Sequence, residues 1–294
     1  TDGALFIMFM TIAGTVESTK EIDTSIASLD LGDSDWFGFS VANIGDLDGD
    51  GVNDLAVGAY FNGEGAVFIM FMDIDGTPKS TYEINETETY GPDLEDGDGF
   101  GYSVAGLGDL DGDGVNDLAV GAYKDDMDEN DDATGATDRG AVHIMFMDID
   151  GTVKSTVEIN DTTAYGPELT DSDWFGSSLA NIGDLDGDGV NDLAVGAFKD
   201  DAGTGNNLGA VHIIFMNTDG SVKSTKEINQ TTNTSLELED TDHFGYSVAN
   251  IGDLDGNGVI DLAVGASLDD AGDTDQGAVH ILFLHETTKP TVTI

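Results

Sequence analysis

The sequence predicts an all-β protein built as an array of four-stranded antiparallel sheets. Three observations carry that prediction: one long motif recurs four times, the apolar residues fall in short runs rich in Val, Ile, Phe and Met, and clusters of Gly and Asp separate the runs. The motif Gly-Asp-Leu-Asp-Gly-Asp/Asn-Gly-Val opens at Gly45, Gly108, Gly183 and Gly252, with spacings of 63, 75 and 69 residues. A Phe-Gly pair precedes each copy by the same interval, at Phe37-Gly38, Phe100-Gly101, Phe175-Gly176 and Phe244-Gly245, and each copy leads into Asp-Leu-Ala-Val-Gly-Ala.

Each unit reads as four strands, A to D. In the first, strand A includes Ser40-Val41-Ala42, strand B Leu55-Ala56-Val57, strand C Val67 to Met72 and strand D Thr81 to Ile84. These residue types fit a pleated, half-buried surface. Strand C is apolar on both faces, since Val142, Ile144 and Phe146 alternate with His143, Met145 and Met147. It must therefore be covered on both sides, as in sheets stacked face to face, and the Met stripe reads as core. Asp75-Gly76, Asp150-Gly151 and Asp219-Gly220 join C to D and predict two-residue hairpin turns, because Asp-Gly tolerates positive φ. The B to C connection is short after Tyr60 and long after Tyr123, where Lys124 to Asp138 is acidic. Such inserts lie on one exposed surface of a repeat protein and are the expected recognition loops.

The ends leave a strand over. Residues 3–22 repeat strands C and D alone, and Gly277 to Leu284 add a fifth strand C. The chain thus divides into a partial repeat at 1–22, repeats at 23–84, 85–159, 160–228 and 229–286, and a tail or the start of a following segment at 287–294.

Composition removes several function classes. Against 59 acidic residues stand 9 basic ones, a net charge of −50 over 294 residues. Nucleic acid and anionic membrane surfaces need clustered Lys and Arg, and here a single Arg139 accompanies eight scattered lysines. The 39% apolar content supplies a core, and 40 glycines with 4 prolines point to tight turns. There is no Cys, hence no disulfide and no thiolate chemistry. No apolar run approaches the roughly 18 residues that span a bilayer, so membrane insertion is not expected. The start at Thr1 lacks a basic leader and reads as a mature or excised region.

The four acidic loops carry the functional signal. In the first, Asp46, Asp48, Asp50 and Asp54 occupy positions 1, 3, 5 and 9, with the carbonyl of Val52 at position 7. The others place Asp109, Asp111, Asp113, Val115 and Asp117; Asp184, Asp186, Asp188, Val190 and Asp192; and Asp253, Asp255, Asn257, Val259 and Asp261 in the same positions. Two carboxylates 4 Å apart repel by about 4 kcal/mol at an effective dielectric near 20. Four converging Asp approach 20 kcal/mol as an upper bound, more than the roughly 5–15 kcal/mol of a whole domain. A hard divalent cation converts that repulsion into binding energy, and Ca2+ takes six to eight oxygens. Magnesium demands stricter octahedral geometry, and transition metals favour nitrogen or sulfur. The loop differs from an EF-hand in having nine positions and no Glu at position 12. About four Ca2+ ions are expected, with Asn257 weakening the fourth site modestly.

Phe-Gly, Asp-x-Asp-x-Asp-Gly-x-x-Asp and Val-Gly-Ala in one unit resemble the FG-GAP repeat of integrin α-subunit propellers and of bacterial and archaeal secreted proteins. The resemblance covers residues 37–284 in four copies and 3–22 as a partial one. It implies an all-β, β-propeller-type array of four-stranded antiparallel blades, with calcium in the loop joining strands A and B. Two departures stand out: Tyr60, Tyr123, Phe198 and Ser267 replace the proline of Gly-Ala-Pro, and four complete units are present where closed rings of the family commonly have seven.

Smaller signals have plainer readings. Asp33 and Asp35, Asp96 and Asp98, Asp171 and Asp173, and Asp240 and Asp242 precede each Phe-Gly and are expected to cap their own turns. Asp125-Asp126, Asp200-Asp201 and Asp269-Asp270 read as exposed loop acids. His143, His212 and His280 stand where the first copies carry Phe6 and Phe68, so they read as packed aromatics. Asn85, Asn160, Asn229 and Asn233 open glycosylation sequons, which the periodicity of the repeat alone would also produce. Four ions offset little of the acidity, so most carboxylates face solvent and a saline source is expected. No catalytic constellation is present, and no enzyme is expected. The function predicted is a secreted or cell-surface, calcium-dependent structural or adhesion module with protein partners, including itself head to tail through unpaired strands. The alternative is a carbohydrate-binding domain of a larger enzyme, using Trp36 and Trp174.

Overall fold

The computed structural model describes residues 3–23, 29, 31, 35–125, 137–201, 206–270 and 275–285. The 287–294 tail, Asp33, Asp126 and most of the insert after Tyr123 lie outside them. A hairpin of β1 (Leu5–Met10) and β2 (Val16–Ile22) comes first. Three four-stranded meanders follow: β3 (Ser40–Gly45) to β4 (Asp54–Ala59), β5 (Ala66–Met72) and β6 (Pro78–Ile84); β7 (Phe100–Gly108) to β8 (Asp117–Ala122), β9 (Ala141–Met147) and β10 (Val153–Ile159); and β11 (Phe175–Gly183) to β12 (Asp192–Ala197), β13 (Ala210–Met216) and β14 (Val222–Ile228). The last sheet holds β15 (Phe244–Asn250), β16 (Leu262–Ala266) and β17 (Ala278–Leu282). Within each sheet consecutive strands pair antiparallel, giving the β-propeller-type array of blades with its N-terminal half unit.

Two local expectations need correction. Strand D starts at Pro78 rather than Thr81; its outer residues are exposed, so no apolar alternation marks them. The C to D connection is a three-residue loop rather than a two-residue turn. Asp73 N–H donates to Thr77 O at 2.8 Å and Gly76 N–H to Asp73 O at 2.8 Å, with Gly76 at φ +78° and Asp75 at ordinary negative φ. A two-residue type I′ turn requires both central residues at positive φ, whereas a type I turn closed by a left-handed glycine requires one.

The two faces of strand C divide the core. Val67, Ile69 and Phe71 of β5 pack with Phe100, Val104 and Val120 of the following blade. Phe68, Met70 and Met72 pack with Phe37 of their own unit and with Ile22, Leu5 and Ile7 of the preceding hairpin. The same division recurs at β9 and β13. At the two ends it is left incomplete. The outward residues of β1, Phe6, Met8 and Met10, are 50–58% exposed, and Val279, Ile281 and Phe283 at the other end are 40–69% exposed.

The Phe-Gly and Val-Gly-Ala motifs meet at the joint between blades. A Cβ on Gly58, Gly121 or Gly196 would lie 2.0, 1.9 or 2.1 Å from the carbonyl oxygen of Gly101, Gly176 or Gly245 in the next blade. Ser40, Ser103 and Ser178 donate their hydroxyls to those same oxygens at 2.8, 2.6 and 2.8 Å. Only glycine allows such a main-chain approach, and the Phe beside each carbonyl is buried in the joint. The inner strands consequently stack in series, β3 on β7, β7 on β11 and β11 on β15.

Candidate metal centres

Each A to B connection is wound about its first aspartate. Asp46 accepts from Asp50 N–H at 2.9 Å and Gly51 N–H at 2.8 Å, and Asp50 accepts from Val52 N–H at 2.8 Å. Asp109, Asp184 and Asp253 accept from Gly114, Gly189 and Gly258 N–H at 3.0, 2.8 and 2.8 Å. Loop N–H groups pointing at carboxylates hold the remaining oxygens toward one centre, and Gly258 N–H is the main cause of a lowered pKa at Asp253.

Carboxylate oxygens within 4.8 Å of one another come from Asp46, Asp48 and Asp50; from Asp109, Asp111 and Asp117; from Asp184, Asp186 and Asp192; and from Asp253, Asp255 and Asp261. Asp54 stands outside the first group, and Asp113 and Asp188 outside the second and third. The converging donors are all oxygen, three carboxylates to a loop, which fits a hard divalent cation and not a thiophilic one.

The position 9 aspartates do a second job. Asp117 is fully buried and accepts from Leu110 N–H at 2.8 Å and Met147 N–H at 3.1 Å, pinning the loop to the end of strand C. Asp54, Asp192 and Asp261 accept from the equivalent pairs, Leu47 and Met72, Leu185 and Met216, and Leu254 and Leu284. Burial pushes the carboxyls of Asp117 and Asp192 up to about 6 against those bonds, and raises Asp54 as well. At position 8, Asn116 and Asn191 reach back to the preceding blade, donating to Ile44 O at 2.8 Å and Leu107 O at 2.6 Å. Loop order and blade contact are thus linked through adjacent residues.

At position 5, strand D supplies a lysine. Lys79 bonds Asp48 at 2.8 Å and also Asp50; Lys154 bonds Asp113; Lys223 bonds Asp186 and Asp188, each at 2.6 Å. These bonds are the leading cause of lowered pKa at Asp50, Asp113 and Asp188.

Among the lesser signals, Asp98, Asp173 and Asp242 do cap their turns, accepting from Glu95, Thr170 and Glu239 N–H at 2.6, 2.6 and 2.8 Å. Asp125, Asp200 and Asp269 are not exposed loop acids. They are buried, with a histidine Nε2 of strand C nearby: His143 at 3.0 Å, His212 at 3.7 Å and His280 at 3.2 Å. Periodicity could not reveal this, because the pairs join strand C to the turn after strand B. The imidazoles also pack edge-on against Phe100, Phe175 and Phe244, as their alternation with Phe predicts. Asn160 and Asn229 are buried; besides donating to Glu158 and Glu227 they accept from Thr162 and Thr231 N–H at 2.9 Å, so these sequons cap their own turns. A cluster of aromatic rings runs across the units from Trp36 and Phe61 through Tyr60, Phe39, Tyr102 and Tyr123 to Trp174 and Phe198. It uses three of the four residues that replace the family's proline, Tyr60, Tyr123 and Phe198.

The FG-GAP repeat model matches residues 37–70, 100–145, 175–214 and 244–282, more than half of the chain. Integrin alpha-5 of Xenopus laevis is 33% identical over 256 residues, 85% of this chain and 22% of that protein. Integrin alpha-4 of the same species is 34% identical over 172 residues, 57% of the chain and 15% of that protein. Integrin alpha pat-2 of Caenorhabditis elegans is 30% identical over 276 residues, 89% of the chain and 19% of that protein. The chain therefore spans about a fifth or less of the length of these relatives. Four motif copies at the joints between blades, and four matches in register with them, make this chain a member of the FG-GAP repeat family.

Proposed function

We propose that the chain is a secreted or cell-surface structural or adhesion module whose blades are stiffened by about four Ca2+ ions, one in each A to B loop. The first ion would take oxygens from Asp46, Asp48, Asp50, Asp54 and the carbonyl of Val52, and the other three the equivalent residues. The observation that carries this is the convergence of three carboxylates in every loop, which in the second and third loops adjoins the asparagines that bridge to the preceding blade. A cation ordering the loop would order that bridge too, so the metal acts on the stack and not on its loop alone. The similarity to integrin α subunits favours protein partners over small molecules. Among the described residues no helix is long and apolar enough to cross a membrane.

Self-association is proposed through the terminal faces. Phe6, Met8 and Met10 at one end match positions that the preceding repeat covers at the internal joints, and Val279, Ile281 and Phe283 at the other match positions that the following repeat covers. A second reading, carbohydrate binding, is favoured by one feature: Trp36, 47% exposed, stacks on exposed Phe61 at 5.7 Å between centroids. Calcium titration by calorimetry tests the main proposal, with about four sites expected and their loss when the position 1 and 3 aspartates become Asn. Absence of calcium heat in the unaltered protein would overturn it.

A further inference from the structure

We propose that Lys79, Lys154 and Lys223 are tethered counter-ions of the first three Asp loops, holding each loop together when no divalent cation is bound and lowering its affinity for one. This rests on the calcium reading of the loops. The chain has eight lysines against 59 acids, yet three of them occupy one equivalent position, the second residue of strand D, and each bonds the position 5 aspartate of its own unit. Lys79 and Lys223 bond the position 3 aspartate as well.

The two incomplete units differ from these three. In the N-terminal one, whose described residues are strands C and D, the same position is Glu17: β2 reads Val-Glu-Ser-Thr where β10 reads Val-Lys-Ser-Thr. In the fourth unit position 5 is the neutral Asn257, and its amide donates to Leu284 O at 2.8 Å, with no lysine on it among the described residues. In the three units whose described residues include both the loop and strand D, the lysine accompanies a charged position 5.

An ammonium on position 5 ties up the same carboxylate that a cation would draw in. In the second and third units Asp113 and Asp188 accept from Val115 and Val190 N–H with one oxygen and from the lysine with the other, and both stand outside the converging group. Binding a divalent ion then brings two positive groups to one loop, and the tethered charge opposes it.

The test compares the unaltered chain with Lys79→Met/Lys154→Met/Lys223→Met and with the Lys→Arg equivalents, by calcium titration calorimetry at low ionic strength and by thermal melting in excess chelator. The Met variant should bind calcium about tenfold more tightly at three sites, the scale of one unit charge at an exposed site, while the Asp253 loop is unchanged. It should melt lower than the unaltered protein in chelator, and the Arg variant should match the unaltered protein in both measurements. If the unaltered chain binds calcium and the Met variant binds it within twofold, the lysine proposal is overturned and the calcium reading stands. If the unaltered chain binds no calcium, both fall. Should the triple variant fail to fold, Lys79→Met alone must tighten one site of four, and equal affinity there overturns the proposal.

Discussion

Substituting Gly121 by Ala probes the joint that defines the stack. A Cβ at Gly121 would stand 1.9 Å from the carbonyl oxygen of Gly176, whereas ordinary contact begins near 3.4 Å, so the two blades must part by about 1.5 Å. Both groups are main chain and cannot rotate away. Overpacking of this kind costs about 1–3 kcal/mol, and loss of the buried Ser103 hydroxyl bond to the same oxygen adds about 0.5–1.5 kcal/mol. A total of roughly 2–4 kcal/mol follows, read by urea unfolding at fixed calcium. Gly265 is the internal control. It holds the same motif position in the last blade, yet the nearest atom to its Cβ is the Ser247 hydroxyl at 2.5 Å, which can rotate. Gly265→Ala should therefore cost under about 1 kcal/mol. Equal losses at the two positions would refute the inter-blade account of the motif.

Other measurements bear on separate parts of the structure. Phe175→Ala, which empties a fully buried site in the core shared with Val142, Ile144 and Phe146 of β9, should cost about 3–5 kcal/mol in the same assay, and a loss below 1 kcal/mol would remove the Phe from that core. Excess chelator should lower the melting temperature, since each site held at 100 times its dissociation constant contributes about 2.7 kcal/mol; an unchanged melt would contradict the calcium assignment. Burial, and after it the neighbouring Asp200 carboxylate, push the carboxyl of Asp173 up to about 7 from 3.8. The folded chain then binds more protons than the unfolded one between those values, so stability declines as pH rises from about 4 to about 7. Its facing groups are Asp200, His212 and Thr170. Asp173→Asn should flatten that slope in urea melts at pH 5 to 8, and parallel slopes would count against it. With a net charge of −50, stability should climb between 0.1 and 1 M NaCl as the screening length falls to about 3 Å; a decline would dismiss the saline hypothesis.

Strand identity, strand count and the spare strand C were all legible in the sequence, because each unit repeats a burial pattern that Val67 to Met72 state completely: apolar on both faces, hence covered on both. The acidic loops were legible for the same reason, since Asp or Asn side chains at positions 1, 3, 5 and 9 recur in fixed register, but which three of them converge in each loop was not. What escaped were contacts between residues far apart in the chain. The bond from Asn116 to Ile44 crosses 72 residues, and nothing at either position announces the other. The buried partnership of His143 with Asp125 was read as two separate features, a packed ring and a solvated acid. The lysines on position 5 lay 29 to 41 residues from the aspartates they hold. Their shared place, the second residue of strand D, takes on meaning only once strand D is known to run beside the loop.

The glycine-to-glycine seam fixes the pitch of the stack by backbone atoms alone, independent of any side chain's size. Insertions between strands B and C therefore leave that pitch untouched, which is how units spaced 63, 75 and 69 residues apart keep the same seam. Whole repeats become interchangeable parts: removing residues 101–175 in one piece would bring Phe100 against Gly176 and rebuild an identical coupling from the first blade to the third.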